Sequence, residues 1–294
     1  MSLQQLESLI QKLKAVPVDP TASFARRRGA MEKAAFRLDA DIKAEPVTAN
    51  GVPAEWITAP NADTGRNVLY LHGGGYTIGS IKTHRCLAGW VSRAAQARVL
   101  IIDYRLAPEH PFPAAVEDSV AAYRFMLDSG VKPSRAAVAG DSAGGGLTVA
   151  ALLALRDAKL PQPAAAVCIS PWVDMEGTGE SMKTKADVDP MVGSANLADM
   201  AAAYLGGKDP KTPLASPLYA DLRGLPPMLI QVGTSEVLLD DSKRLAERAR
   251  AAGVDAIYEP WENMIHVWQI FVPMLDEAKQ AVERIGGFIR EKTP

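Results

Sequence analysis

Residues 139–145 read Ala139-Gly140-Asp141-Ser142-Ala143-Gly144-Gly145, a Gly-x-Ser-x-Gly pattern. Upstream, Arg135-Ala136-Ala137-Val138-Ala139 is small and apolar enough for a buried strand. Downstream, Leu147-Thr148-Val149-Ala150-Ala151-Leu152-Leu153-Ala154-Leu155 predicts a helix. A serine on so tight a strand-to-helix turn is forced into strained backbone, and its hydroxyl stands clear of the sheet. The flanking glycines let the turn pass close to its neighbours without a side chain in the way. The positive end of the following helix points at the same spot. Ser142 is therefore a candidate nucleophile, against the plainer alternative of a capping serine at an ordinary corner.

Working outward, strands and helices alternate. Val68-Leu69-Tyr70-Leu71 is an expected buried strand that runs into His72-Gly73-Gly74-Gly75. Further strands are expected at 52–58, 99–102, 166–170, 228–232 and 256–259. Helices are expected at 84–97, 113–127 and 240–252, with a last one after His266. This rhythm predicts an α/β chain whose largely parallel sheet is covered by helices on both faces. Ligands in such sheets sit beyond the carboxyl ends of the strands. The first forty residues have helical spacing, with a break at Pro17 and Pro20 and a second helical stretch over 21–38. Residues 173–218 lack strand periodicity, and an insertion this long after a strand end is expected to form part of a cap. The domain expectation is cap helices over 1–45 and a catalytic domain over 46–294.

Composition narrows the function classes. Nearly half of the 294 residues are apolar (48%), enough for a sizeable core, and the net charge is −2. A chain without a basic surplus is not expected to bind nucleic acid. Arg26-Arg27-Arg28 is the one basic run, and a solvated helix face is the expectation for it. Cys86 and Cys168 are too few for a disulfide framework or a zinc site. No apolar stretch approaches a membrane span, and the N-terminus lacks an apolar signal core. No stable membrane insertion is expected, and the cytoplasm is the expected location.

Acyl transfer by a serine needs an imidazole, a carboxylate to orient it and donors for the oxyanion. Only four histidines are present. His72 belongs to the glycine loop, His84 opens a helix and His110 lies in a Pro-rich segment. His266 alone follows the last expected strand, in the chain order nucleophile, acid, histidine. The acid is expected just after the strand at 228–232, where Glu236 is the candidate and Asp240 and Asp241 compete. The bare backbone of Gly73, Gly74 and Gly75, with the N–H of Ala143, is the expected oxyanion site. His72 and Asp141 are expected to support the loop and the turn.

His72-Gly73-Gly74-Gly75 together with Gly140-Asp141-Ser142-Ala143-Gly144-Gly145 resembles the hormone-sensitive-lipase family of α/β-hydrolases, the bacterial family IV esterases. Asp103-Tyr104-Arg105-Leu106-Ala107-Pro108-Glu109 with Phe112-Pro113-Ala114-Ala115 is similar to another block of that family. The resemblance runs from about residue 47 to the C-terminus. It implies an α/β-hydrolase fold with a helical cap, a Ser142–His266 pair with Glu236 as acid, and an oxyanion hole from the glycine loop and Ala143. The expected reaction is ester hydrolysis through an acyl-enzyme on Ser142, with short acyl groups expected because no long apolar surface segment suggests docking to lipid. No metal or organic cofactor is implied. The expected partner is a small ester substrate, and a homodimer is an expectation of the resemblance alone. The family more often carries Asp where this chain has Glu236. Two other functions are open to the same fold: a small-molecule receptor, or an amide or lactone hydrolase.

Overall fold

The computed structural model describes Ser2–Ala15 and residues 22–294. Pro17 and Pro20, where the sequence predicts a break, lie outside the described residues. Two helices, α1 (Ser2–Ala15) and α2 (Phe24–Ala34), precede β1 (Lys43–Ala49), β2 (Val52–Thr58) and β3 (Asp63–Leu71). Next come α3 (Ile81–Ala95), β4 (Ala97–Ile102), α4 (Ala114–Asp128), β5 (Ala136–Asp141), α5 (Ala143–Asp157) and β6 (Ala165–Ile169). The insertion carries α6 (Ser181–Thr184) and α7 (Ser194–Leu205). The chain ends in β7 (Met228–Gly233), α8 (Leu239–Ala251), β8 (Ala256–Trp261) and α9 (Asp276–Lys292).

The strands form one eight-stranded sheet in the order β1-β2-β4-β3-β5-β6-β7-β8. All neighbours from β4 to β8 are parallel, while β1–β2 and β2–β4 are antiparallel. Alternation along β3 feeds two cores. Leu69 and Leu71 join the face covered by α4, α5 and α8, and Val68 and Tyr70 join the face covered by α3 and α9. Both faces are dry, which is why the central strands are continuous apolar runs rather than alternating ones.

Three expectations shift. The sheet begins one strand earlier, at β1, which is exposed along most of its length and carries Pro46. An edge strand has no second neighbour to bury it, so it lacks an apolar signature, and proline is tolerated there. The helix expected over 21–38 ends at Ala34 because Phe36 and Leu38 leave it to pack on the α9 side, Phe36 lying edge-on to Phe271 at 6.1 Å. After His266 a short 3-10 turn (Trp268–Phe271) comes first, and the last helix begins at Asp276.

The turn at Ser142 depends on close packing of β5, β3 and α5. A Cβ on Gly140 would strike the carbonyl of Gly144, and one on Gly144 would strike the carbonyl of Leu71. Gly144→Ala is therefore expected to lower unfolding free energy by about 1–3 kcal/mol through overpacking. Urea denaturation with an unchanged m value would show it.

Candidate active site

Ser142 sits between β5 and α5 with φ 54° and ψ −121°, a positive-φ backbone that non-glycine residues rarely adopt. Three hydrogen bonds hold it there. Its N–H donates to the Ile169 carbonyl at 2.8 Å, and its own carbonyl accepts from Trp172 at 2.9 Å and Gly146 at 3.1 Å. The constraint thus comes from the neighbouring strand end as well as from the turn itself.

His266, from the loop after β8, lines the same cavity as Ser142. Behind it lies Glu236, fully buried, with Oε2 at 3.5 Å from the His266 Nδ1. That is longer than a formed hydrogen bond, and Nδ1 has no other partner among the described residues. Such pairs tighten when the imidazole takes up a proton. Ser170, at the end of β6, donates its hydroxyl to the same Oε2 at 2.9 Å and accepts from the Val267 N–H at 3.2 Å. One hydroxyl thus links the acid to the loop that carries the base.

Burial pushes Glu236 above the usual carboxylate range, against the opposing pull of His266 and the Ser170 hydroxyl. Burial works to lower His266. The Glu236 carboxylate, aided by Asp189 and Asp141, overcomes it and sets the imidazole above its ordinary 6.5.

The glycine loop follows β3. Gly74 and Gly75 line the cavity with φ of 116° and 59°. Gly73 does not line it, and a Cβ there would collide with the Asp141 carboxylate. The three expected donors thus divide, with Gly73 making room for Asp141 rather than lining the cavity. The N–H of Ala143, first in α5, has no intrahelical acceptor.

Beneath the loop lies a buried polar cluster. The Nδ1–H of His72 donates to the Gly73 carbonyl at 2.7 Å, and its ring stacks on Tyr104 at 4.3 Å. Burial, with the nearby His84, drives His72 down to about 3, so it stays neutral. The Asp141 Oδ1 accepts the Tyr70 hydroxyl at 2.9 Å, and Oδ2 lies 3.3 Å from the His84 Nε2. Burial acts to raise Asp141, but the facing His84 and Tyr70 more than offset it and keep the carboxyl below 3.8.

The cavity measures about 140 Å³ and is mainly apolar, walled by Met31, Ile78, Met191, Val192, Met200 and Ile270. Met31 comes from α2, and Met191, Val192 and Met200 come from the insertion between β6 and β7. Met200 presses against Gly75, where any Cβ would meet its sulfur.

A family model described as alpha/beta hydrolase fold matches residues 68–270. An acetyl-hydrolase of Streptomyces hygroscopicus is 51% identical over 247 residues, covering 84% of this chain and 82% of the relative. A crystal structure of an esterase from the bacterial hormone-sensitive lipase family superposes with a TM-score of 0.96 at 55% identity, over 99% of both chains. A crystal structure of EstE5 soaked by p-nitrophenyl butyrate superposes with a TM-score of 0.95 at 54% identity, over 98% of both chains. The chain is an α/β-hydrolase of the hormone-sensitive-lipase family.

Within this hydrolase, the competing acids are occupied elsewhere. Asp240 accepts from the Ser181 N–H at 2.8 Å. Asp241 accepts from the N–H groups of Val173 and Asp174, and burial lifts it to about 7. Neither faces His266. The basic run departs from expectation. Only Arg26 is solvated, whereas Arg27 is buried with Nη1 donating to Asn196 Oδ1 at 2.7 Å. Arg28 donates to the Thr77 and Ala107 carbonyls and pairs with Glu109. The run staples α2 to both the insertion and the loop beside the glycines. Sequence reasoning missed both His84 and Ser170 as parts of the site. A serine at the carboxyl end of a parallel strand was the available signal for Ser170, and His84 carried none.

His266 titration, followed by NMR through its ring C–H signals, is expected to have its midpoint above 6.5. Glu236→Gln removes the charge that favours the imidazolium while leaving burial in place, so the midpoint is expected to move to lower pH.

Proposed function

We propose that this protein is a serine carboxylesterase acting on short-acyl esters. The observation that carries the reading is the facing of Glu236 and His266 at 3.5 Å behind a cavity that His266 shares with Ser142. With Nδ1 turned to Glu236, Nε2 is the nitrogen left to take the Ser142 proton. The Ser142 Oγ then attacks the ester carbonyl carbon. The developing oxyanion is received by the N–H groups of Gly74, Gly75 and Ala143. Collapse expels the alcohol, which leaves with the proton held on His266. Water, deprotonated by the same nitrogen, attacks the acyl-enzyme and releases the carboxylic acid and free Ser142. Glu236 steadies the imidazolium in both halves.

The short-acyl preference is supported by size. A cavity of about 140 Å³ is small beside pockets that hold drug-sized ligands. The insertion and α2 act as its cap, and Met200 sets its depth beside the oxyanion loop.

On a series of p-nitrophenyl esters from acetate to dodecanoate, kcat/KM is expected to peak among the shortest acyl groups. Met200→Ala is expected to move that peak to longer chains. A maximum at long-chain substrates in the unaltered protein overturns the short-acyl reading. Ser142→Ala is expected to remove turnover by about 10³-fold or more and to abolish covalent labelling by an organophosphonate. Matched amide substrates, if hydrolysed faster than the esters, would reassign the reaction.

A further inference from the structure

One carboxylate joins the cap to the loop of the catalytic acid. Asp189 lies between α6 and α7. Its Oδ1 accepts from the N–H groups of Met191 at 2.9 Å and Val192 at 3.0 Å. Its Oδ2 accepts from the N–H of Val237 at 3.0 Å. Met191 and Val192 wall the cavity, and Val237 is the residue directly after Glu236. The other ties between the insertion and the acid loop involve no residue that lines the cavity. The Ser181 Oγ donates to the Val237 carbonyl, and Asp240 and Asp241 hold the backbone of residues 173, 174 and 181.

Asp189 also lacks a counter-ion, since none of the described cations pairs with it. Three backbone N–H groups hold its carboxylate, which adds to the fields of Glu236 and Asp141 that raise His266. Of those two, Asp141 is faced by His84, and Glu236 is hydrogen-bonded by Ser170. A turn-forming residue would need only Oδ1. The second oxygen, spent on the neighbour of Glu236, is what a purely local role does not explain.

We propose that Asp189 is a positioning residue that locks the cavity wall at Met191 and Val192 to the loop carrying Glu236, so that the acid is aligned behind His266 while the wall is closed over the substrate. The role rests on the hydrolytic reading of Ser142. In Asp189→Asn, the side-chain oxygen can still serve Met191 and Val192, but an N–H₂ group then confronts the Val237 N–H. The cap turn survives and the one hydrogen bond from the Asp189 side chain to the Val237 N–H is lost. Asp189→Ser keeps a short acceptor for the turn and serves as the second variant.

The test is steady-state hydrolysis of p-nitrophenyl acetate across pH, normalised to sites titrated with an organophosphonate, with Tm measured alongside. Both variants are expected to lose about tenfold or more in normalised kcat. The acid limb of kcat/KM should shift to lower pH, because one of the three carboxylates favouring the His266 imidazolium is gone. A fall in Tm with normalised kcat and the acid limb unchanged overturns the proposal and leaves Asp189 a turn-former. Absence of turnover and of Ser142 labelling in the unaltered protein would instead defeat the hydrolytic reading itself.

Discussion

The site depends on the close approach of two backbones. Where β5 ends, Gly140 and Gly144 bring α5 against the carbonyl of Leu71 on β3 with no side chain between. That contact leaves the intervening residue no ordinary conformation, and Ser142 takes φ 54°. The strain is sustained because the neighbouring strand end hydrogen-bonds both its N–H and its carbonyl. The rest of the centre is arranged around this fixed point. The glycine loop leaves β3 beside it, Ser170 leaves β6 beside it, and the loops after β7 and β8 bring Glu236 and His266 in turn.

Electrostatics in the site follows from burial. Asp141, Glu236 and His72 sit in nearly dry surroundings, yet each settles differently because its neighbours differ. Burial and a neighbouring ring leave His72 neutral, Asp141 is held charged by His84 and Tyr70, and the rise that burial gives Glu236 is opposed by His266 and Ser170. His266 gathers the field of three carboxylates. A proton arriving on that ring is therefore welcomed, as charge relief during nucleophilic attack requires.

Local signals were legible in the sequence and distant pairings were not. The Gly-x-Ser-x-Gly turn, the three glycines after an apolar strand and the last histidine can each be read from a few adjacent residues. The structure brings Ser142 and His266 to one cavity, with Glu236 behind. The strand β1 stayed hidden because an edge strand has one partner and little to bury. Arg27 and Arg28 read as solvated because nothing near them in sequence reveals that their acceptors lie at Asn196, Thr77 and Ala107. His84 reads as a helix opener because its partner, Asp141, lies far along the chain. The division of the glycine loop, with Gly73 serving Asp141 and its neighbours the cavity, depends on φ angles that composition does not encode.

The roof of the cavity is anchored at one end by aromatic rings. Tyr204, in the last turn of α7, stacks on Tyr76 of the glycine loop with centroids 3.7 Å apart and planes 6° from parallel, and Phe112 meets it edge-on. The Tyr204 carbonyl also accepts the Phe112 N–H at 2.7 Å. Swinging α7 outward would unstack two buried rings, so that helix is a fixed beam and not a flap. On the other side of the cavity, Met31, Met191 and Ile270 are partly exposed. Those side chains are the part of the wall that can change rotamer without disturbing the stacked rings that hold α7.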